Sequence, residues 1–142
     1  MMTFNDGGVL AYMSGMLARM ANMAPAMAEI GANQVYSIQE RIIDGKADPD
    51  GISWAPWRPF TREQRENKGN TSQGLLWDTG TLLHSVMAQP SANGVVVGTS
   101  VPYAHDLQEG VGMSPRPFIG WSEEGKQVAE HFVVRYLEGL SA

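Results

Sequence analysis

The stretch from Trp54 to Trp121 constrains this chain most, because aromatic residues, prolines and glycines are concentrated there. It includes WAPWRPFT at 54–61, NGVVVGTS at 93–100 and PRPFIGWS at 115–122. Pro56 and Pro59 disfavour a helical conformation at the residues before them. The distinctive residues of this stretch determine the shape of the backbone and include few reactive groups. This indicates a protein that packs against other proteins.

Length and composition predict a single domain over residues 1–142. A chain of 142 residues is long enough to bury a core, and the absence of cysteine excludes disulfides, thiolate metal sites and a cysteine nucleophile. The net charge of −5 argues against a general nucleic-acid binder, although it is compatible with the wall of a DNA conduit. The uncharged run at 7–18 is too short to cross a membrane, so we expect no membrane partner.

Residues 1–44 are predicted to form a helical N-terminal region. Apolar residues recur there at spacings of three and four, which places them on one face of a helix. Asn5 or Asp6 is expected to cap its start, and Asp44-Gly45 to end it. Pro25 either kinks one long helix or begins a second. The apolar residues of this face are Val9, Met13, Met16, Met20, Met23, Met27 and Ile30.

This helical region carries few charges and many methionines. Between residues 7 and 39 the charged residues are Arg19 and Glu29, and five of the nine methionines lie between 13 and 27. Such a helix is either a core helix with methionine filling gaps, or a helix covered partly by a neighbouring subunit, since methionine adapts to irregular surfaces. We favour the second interpretation and predict that Met16, Met20 and Met23 lie at a protein–protein interface.

Residues 45–74 are predicted to form an extended loop or arm. The residues at 48–51 have turn chemistry, and those at 63–68 favour a helical turn. A loop of this length in a compact domain is usually functional or disordered. Trp54, Trp57 and Phe60 argue against disorder, because large aromatic side chains need a surface to bury against.

Residues 75–142 are predicted to form an α+β part. The segment 75–87 begins as a helical turn and continues as a strand, which pairs through a turn at 91–94 with a second strand at 95–97. Helices are predicted at 103–109 and from Ser122 to about Leu140, with Ser122 as the cap of the second. The predicted fold class is therefore α+β, with a long N-terminal helix, a small antiparallel sheet with a hairpin, an extended Trp/Pro-rich loop and a C-terminal helix.

One tripeptide, Asp78-Thr79-Gly80, suggests catalysis. Preceded by apolar residues, it is similar to the catalytic turn of retropepsin-like aspartic proteases, in which two aspartates of a homodimer share a proton. That fold is almost all β, whereas a long helix precedes the tripeptide here. We therefore favour a structural turn in which Asp78 caps a helix that begins near Gly80.

No other arrangement of reactive residues indicates an active site. None of the three histidines has a partner at a zinc-ligand spacing, and the sequence contains no nucleophile-elbow or phosphate-loop motif. We accordingly expect no catalytic residue, no metal and no cofactor.

Basic and aromatic residues are interleaved in the middle of the chain. Nucleic-acid stacking would use such residues, but arginine and tryptophan also dominate the energetics of protein–protein interfaces, and acidic residues dilute this patch. Arg116 lies between two prolines, so it either forms a buried ion pair with Asp78 or Glu109 or remains solvated. We prefer the protein interface, and the residues predicted to form it here are Trp54, Trp57, Arg58, Phe60, Arg116 and Phe118.

A series of short motifs follows in a fixed order. Gly51–Thr61 has a Gly-x-x-Trp-x-Pro-like pattern, and Thr79–Leu82 reads Thr-Gly-x-Leu. A Val-Gly-Thr sequence at 97–99, Tyr-Ala at 103–104 with a glycine at 110, and Pro-Arg-x-Phe-x-Gly at 115–120 complete the series. In order and spacing, the series resembles the virion morphogenesis, or tail completion, family of tailed bacteriophages, as in Mu-like and P2-like phages. The chain departs from that pattern at Glu109 and Thr81.

The resemblance implies a non-enzymatic virion protein at the head–tail junction (neck) or the upper end of the tail. It implies an α+β fold, a homo-oligomeric ring that is expected to be hexameric, and assembly in the host cytoplasm. Expected partners are other neck and tail proteins, including the head-completion or stopper protein, the tail terminator and the tail tube, and genomic DNA passes through the lumen unbound. The alternative is an assembly factor that is absent from the particle. We expect Trp54→Ala and Trp57→Ala to leave the monomer folded but to impair assembly.

Overall fold

The protein has an α+β fold, as the sequence predicts, in a computed structural model that describes residues 5–69, 76 and 80–140. Helices α1, α2 and α3 come first, and the short helix α4 leads into strands β1 and β2, followed by α5 and α6. The element bounds are α1 Val9–Ala21, α2 Ala24–Glu40, α3 Pro59–Lys68, α4 Thr81–Ser85, β1 Met87–Pro90, β2 Val95–Gly98, α5 Ala104–Glu109 and α6 Glu123–Leu137.

The N-terminal region consists of two helices, which is the alternative in which Pro25 begins a second helix. Asn22 is in an extended conformation after α1, and Pro25 lies in the first turn of α2, where its missing N–H costs no hydrogen bond. At the start of α1 the Asp6 carboxylate accepts from the backbone N–H of Gly8 at 2.9 Å and of Leu10 at 3.3 Å. A π-helical turn, Arg41–Gly45, extends α2 and ends at the expected glycine.

Helix α2 packs against the hairpin. Gly31 lies at the closest approach, because a Cβ atom there would lie 2.8 Å from Cβ of Ala88 and 2.9 Å from Cγ2 of Val95. Strands β1 and β2 pair antiparallel, with Met87 opposite Gly98 and Pro90 opposite Val95. The predicted hairpin and its turn at 91–94 are thus confirmed, but its first strand begins at Met87, where the predicted strand ends, because residues 81–85 form α4.

Helix α6 covers another part of α2. It begins at the predicted cap, where the Ser122 hydroxyl accepts from the Gly125 N–H at 3.0 Å. It ends at Leu137, and its apolar residues from Val128 to Leu137 are half-buried apart from the exposed Val134. The predicted continuation to about Leu140 is therefore too long by a turn, since residues 138–139 form a turn.

The hydrophobic core lies where the end of α2 meets α4 and two irregular segments. Phe118 and Ile42 have no exposed surface, and Trp54 is 6% exposed. All three of these side chains come from segments without regular secondary structure or from the π-helical turn. The buried cluster comprises Ile38, Ile42, Trp54, Leu76, Leu82, Leu83, Val86, Ala104 and Phe118.

Candidate interface

The segment that follows α2 folds back as a small hairpin that delivers Trp54 to the core. The Asp48 carboxylate accepts from the N–H groups of Asp50 at 2.9 Å and Ile52 at 2.8 Å, which fixes the predicted turn. Ala47 and Ser53 form an isolated antiparallel bridge, and the Trp54 N–H donates to the Lys46 carbonyl at 2.8 Å. The indole Nε1 then donates to the Pro117 carbonyl at 2.8 Å.

The loop 115–120 receives hydrogen bonds from three long side chains. Besides Trp54, Arg41 donates through Nη1 to the carbonyls of Phe118 at 3.0 Å and Gly120 at 3.1 Å. Gln108 donates to the Ile119 carbonyl at 2.9 Å and accepts from the N–H groups of Phe118 and Ile119 at 3.1 and 3.2 Å. Side chains thus satisfy these backbone groups in a loop that has no β ladder to do so.

Arg116 connects this loop to the start of the proline-rich segment. Its Nε donates to the Ala55 carbonyl at 2.9 Å and its Nη2 to the Pro56 carbonyl at 3.0 Å. The side chain is buried, and this desolvation lowers the pKa of Arg116, with a smaller contribution in the same direction from the nearby charges of Arg58 and Arg65. The ion pair proposed with Glu109 is not formed, because the guanidinium binds these carbonyls instead; Asp78, the other carboxylate considered, lies outside the described residues.

The segment 45–74, predicted to be an extended arm, contains a helix of 10 residues, α3. The expectation of a helical turn at 63–68 was too short because Pro59, which breaks a helix internally, lies at the first position of α3. Arg65 stacks over the Trp57 ring, with Cζ 4.5 Å from the ring centroid, and Phe60 is 69% exposed. Residues 70–74 lie outside the described residues.

A cleft of about 580 Å³ lies between α3, the start of α4 and the loop before Arg116. Its described lining includes three arginines, Arg58, Arg65 and Arg116, and no carboxylate. Trp57 and Tyr103 contribute aromatic surface to it. We call this site the basic cleft.

Helix α1 contrasts with the rest of the molecule because none of its residues is buried. Leu10, Met13, Leu17 and Met20 lie on one face and are 54–68% exposed. Its one charged residue, Arg19, donates through Nε and Nη2 to the Leu137 carbonyl at the end of α6, at 2.9 and 2.8 Å. The helix therefore keeps an apolar face that the described residues do not cover, and the interpretation of α1 as a core helix is wrong.

The structure separates the predicted interface residues into two groups. Trp54, Arg116 and Phe118 lie inside the chain, where they hold the core and its loop, and their role at an interface stays a prediction. Met20, Arg58 and Phe60 are exposed, while Met16, Met23 and Trp57 are half-buried. No local sequence pattern points to Arg19, Arg41 or Gln108, because their carbonyl partners lie far along the chain or in a segment without periodicity.

Asp78 and Thr79 of the protease-like tripeptide lie outside the described residues. Gly80 is described, and its left-handed backbone, with φ 84°, immediately precedes α4, as expected for a turn that begins a helix. In the described part of the chain, no cluster of three or more histidine or carboxylate side chains could hold a metal ion. Among those same residues, no helix has the length and apolar character needed to cross a membrane.

Comparison with known proteins gives one match. The model of a family described as the phage virion morphogenesis family matches residues 5–138. No curated protein and no solved structure matches the chain. The matched range covers both the exposed helix α1 and the basic cleft.

Proposed function

Because the chain belongs to the phage virion morphogenesis family, which gives it a role in the assembly of a phage virion, we propose that it forms a ring in the neck or upper tail. In this proposal the ring is hexameric, completes the tail and joins it to the head, as in Mu-like and P2-like phages. Neighbouring head-completion, tail-terminator and tail-tube proteins contact its two faces, and DNA passes through the lumen without specific binding.

The observation that carries this proposal is the uncovered apolar face of α1. A helix that is apolar over most of its surface is normally buried, yet α1 has no buried residue in the isolated chain. Covering one leucine side chain removes it from water with a gain of about 1.5–3 kcal/mol. A neighbouring subunit that covers Leu10, Met13 and Leu17 therefore supplies a large part of the free energy of ring closure.

Two further features support a structural role. The side chains of Arg41, Gln108 and Arg116 are bound to backbone groups and hold a loop in place, so they stabilise shape. The exposed Phe60 and the Trp57–Arg65 stack give α3 a second aromatic surface for a neighbour. The net charge of −5 suits a lumen that DNA must pass without binding.

The experiment is complementation of the parent phage lacking this gene with Leu17→Glu. The substitution places a charge on the uncovered face of α1, while Ala18→Glu places the same charge on an exposed neighbouring position of α1 and serves as the matched control. We expect Leu17→Glu to give tail-deficient, non-infectious particles and Ala18→Glu to give normal ones. Equal, wild-type titres from both variants would contradict the proposal.

Mass spectrometry and a density map of purified wild-type particles complete the test. A ring of this protein in the neck or upper tail is the expected result. Its absence from the particles would assign the chain to the alternative, an assembly factor that is not retained in the virion.

A further inference from the structure

Strand β2 forms one edge of a two-stranded sheet. Among the described elements, β2 packs closely against β1, with which it pairs, and against α2, which covers one face of the hairpin. The register places Pro90 opposite Val95 and Ala88 opposite Val97. Because proline has no N–H, Pro90 and Val95 form a pair without ladder hydrogen bonds, and alternation along the ladder makes Ala88 and Val97 another. The N–H and C=O groups of Val95 and Val97 therefore point away from β1, towards the edge of the sheet.

The side chain between these two residues is the exposed one. Val96 is 72% exposed on the outer face of the hairpin, whereas Val95 approaches Gly31 of α2 and Val97 packs against the core. Strand β2 contains no charge and no proline, and its register with β1 is free of bulges. These are the usual devices that keep an edge from pairing, and here the only one is the short length of four residues. The other edge, β1, contains Pro90 and lacks one donor.

A second copy of β2 satisfies this edge in one register. When two β2 strands run antiparallel about a two-fold axis through Val96, Val95 of each copy lies opposite Val97 of the other. Each of these pairs exchanges both hydrogen bonds, because the N–H and C=O groups of both residues point to the shared edge. The two Val96 side chains then face each other in the pair between them, where the Cα atoms are closest, at about 4.5 Å. Two β-branched side chains at such a position stabilise a sheet.

We propose that two copies of the free chain pair through β2 in this register and form one antiparallel sheet in the order β1–β2–β2–β1. A two-fold contact closes on itself, so the pair is a state of the chain before assembly and does not rest on the proposed ring. It covers an edge that would otherwise recruit strands from other chains. The contact is small, which makes the dimer weak and its population dependent on concentration.

The test uses the self-contact of Val96 in the purified full-length chain, measured by sedimentation velocity over a series of concentrations. Val96→Lys and Val96→Asp each place like charges opposite each other, so each variant is expected to dimerise on the order of tenfold more weakly than the wild type. An equimolar mixture of the two variants should recover the dimer, since opposite charges then face each other. Gln89→Lys is the matched control, because Gln89 is exposed on the same face of β1, opposite Val96 of its own chain. Thermal unfolding confirms that all variants are folded.

The absence of cysteine from the chain gives a second measurement, which reports the register itself. Val96→Cys should form a covalent dimer under mild oxidation, because Cα atoms about 4.5 Å apart lie within the range of about 4.4–6.8 Å that a disulfide spans. Gln89→Cys is the matched control. Both β2 strands separate the two copies of residue 89, which places them about 14 Å apart and out of reach of a disulfide.

Each outcome supports or overturns the proposal. Loss of the dimer in both charged variants with recovery in the mixture, together with crosslinking at position 96 and not at 89, supports it. A wild type that stays monomeric over the whole series, a mixture that fails to recover, or equal crosslinking at both positions would overturn it. A monomeric wild type whose incorporation into particles is lost in Val96→Lys would also overturn it and would assign the edge to a strand of another protein.

Failure of this proposal is distinguishable from failure of the proposed ring. Leu17→Glu leaves β2 unchanged, so it should keep this dimer while it loses larger assemblies and infectious particles. Loss of the dimer in Leu17→Glu would overturn the proposal, because self-association would then run through α1. Normal particles from Leu17→Glu would contradict the proposed function and leave the dimer of the free chain in place.

Discussion

Helix α1 and the loop 115–120 are opposites in regularity and in burial. The loop has no regular secondary structure, yet it contains the fully buried Phe118 and accepts hydrogen bonds from Arg41, Trp54 and Gln108. Helix α1 is regular over 13 residues, yet none of them is buried. Regularity and burial therefore do not coincide in these two regions, and the regular helix is the element with an apolar face that a neighbour is proposed to cover.

The largest difference between the two regions is expected in their contributions to stability. Phe118→Ala should lower the free energy of unfolding by about 3–5 kcal/mol, because it removes a buried ring and leaves a cavity. Urea unfolding followed by tryptophan fluorescence measures this change. Phe60→Ala, at a position 69% exposed, is the matched control and should change stability by less than about 0.5 kcal/mol. Equal losses from the two substitutions would contradict the assignment of the loop to the core.

The hydrogen bonds of the loop give the second test. Gln108→Leu keeps the approximate volume of the side chain but removes one donor and one acceptor that together serve three backbone groups of Phe118 and Ile119. We expect a loss of about 1–3 kcal/mol, since those backbone groups are left without a partner. Gln127→Leu, on the exposed side of α6, provides the control in the same denaturant series. A stable Gln108→Leu protein would show that solvent satisfies the loop equally well.

Much of this fold follows from local patterns in the sequence. The hairpin at 87–98 is specified by the turn Ser91–Gly94 and the three valines that follow it. Helix α6 begins after Ser122 because serine, followed by glutamates, caps and charges a helix N-terminus. The sequence does not decide between one kinked helix and two helices at Pro25, because proline is compatible with both a kink and a first turn. The predicted length of α3 is too short for the same reason, because Pro59 is the first residue of this helix.

The sequence did not indicate that Trp54 and Phe118, which were predicted to lie at an interface, are buried in the core. Trp54 and Phe118 lie in segments without periodicity, and the Trp54 indole donates to the carbonyl of Pro117, 63 residues along the chain. The expectation that Trp54→Ala leaves the monomer folded stays a prediction, and the burial of Trp54 adds an expected loss of stability like that of Phe118→Ala. The sequence shows only a locally basic composition in place of the basic cleft, because Arg116 comes close to Arg58 and Arg65 only in the folded chain.

The attachment of α1 to α6 gives a third, smaller and local effect. Arg19→Met removes the two hydrogen bonds to the Leu137 carbonyl but keeps most of the aliphatic side chain. We expect a loss of about 1 kcal/mol that is confined to α1, because the core does not involve this contact. Hydrogen exchange should accelerate in residues 9–21 and stay unchanged in α2. Arg62→Met is the control on α3, and faster exchange throughout the chain would show that α1 is part of the cooperative core.

Leu17→Glu is expected to have the smallest effect on stability and the greatest effect on assembly. Leu17 is 64% exposed, and glutamate has a helix propensity close to that of leucine, so Leu17→Glu should change the free energy of unfolding by less than about 0.5 kcal/mol. The same substitution places a charge on the face that a neighbouring subunit is proposed to cover, where an unpaired charge is costly to bury. Thermal unfolding of the isolated chain together with sedimentation velocity separates the two quantities. A fall in stability as large as that of Phe118→Ala would mean that α1 belongs to the monomer core after all, and the contrast between helix and loop would be lost.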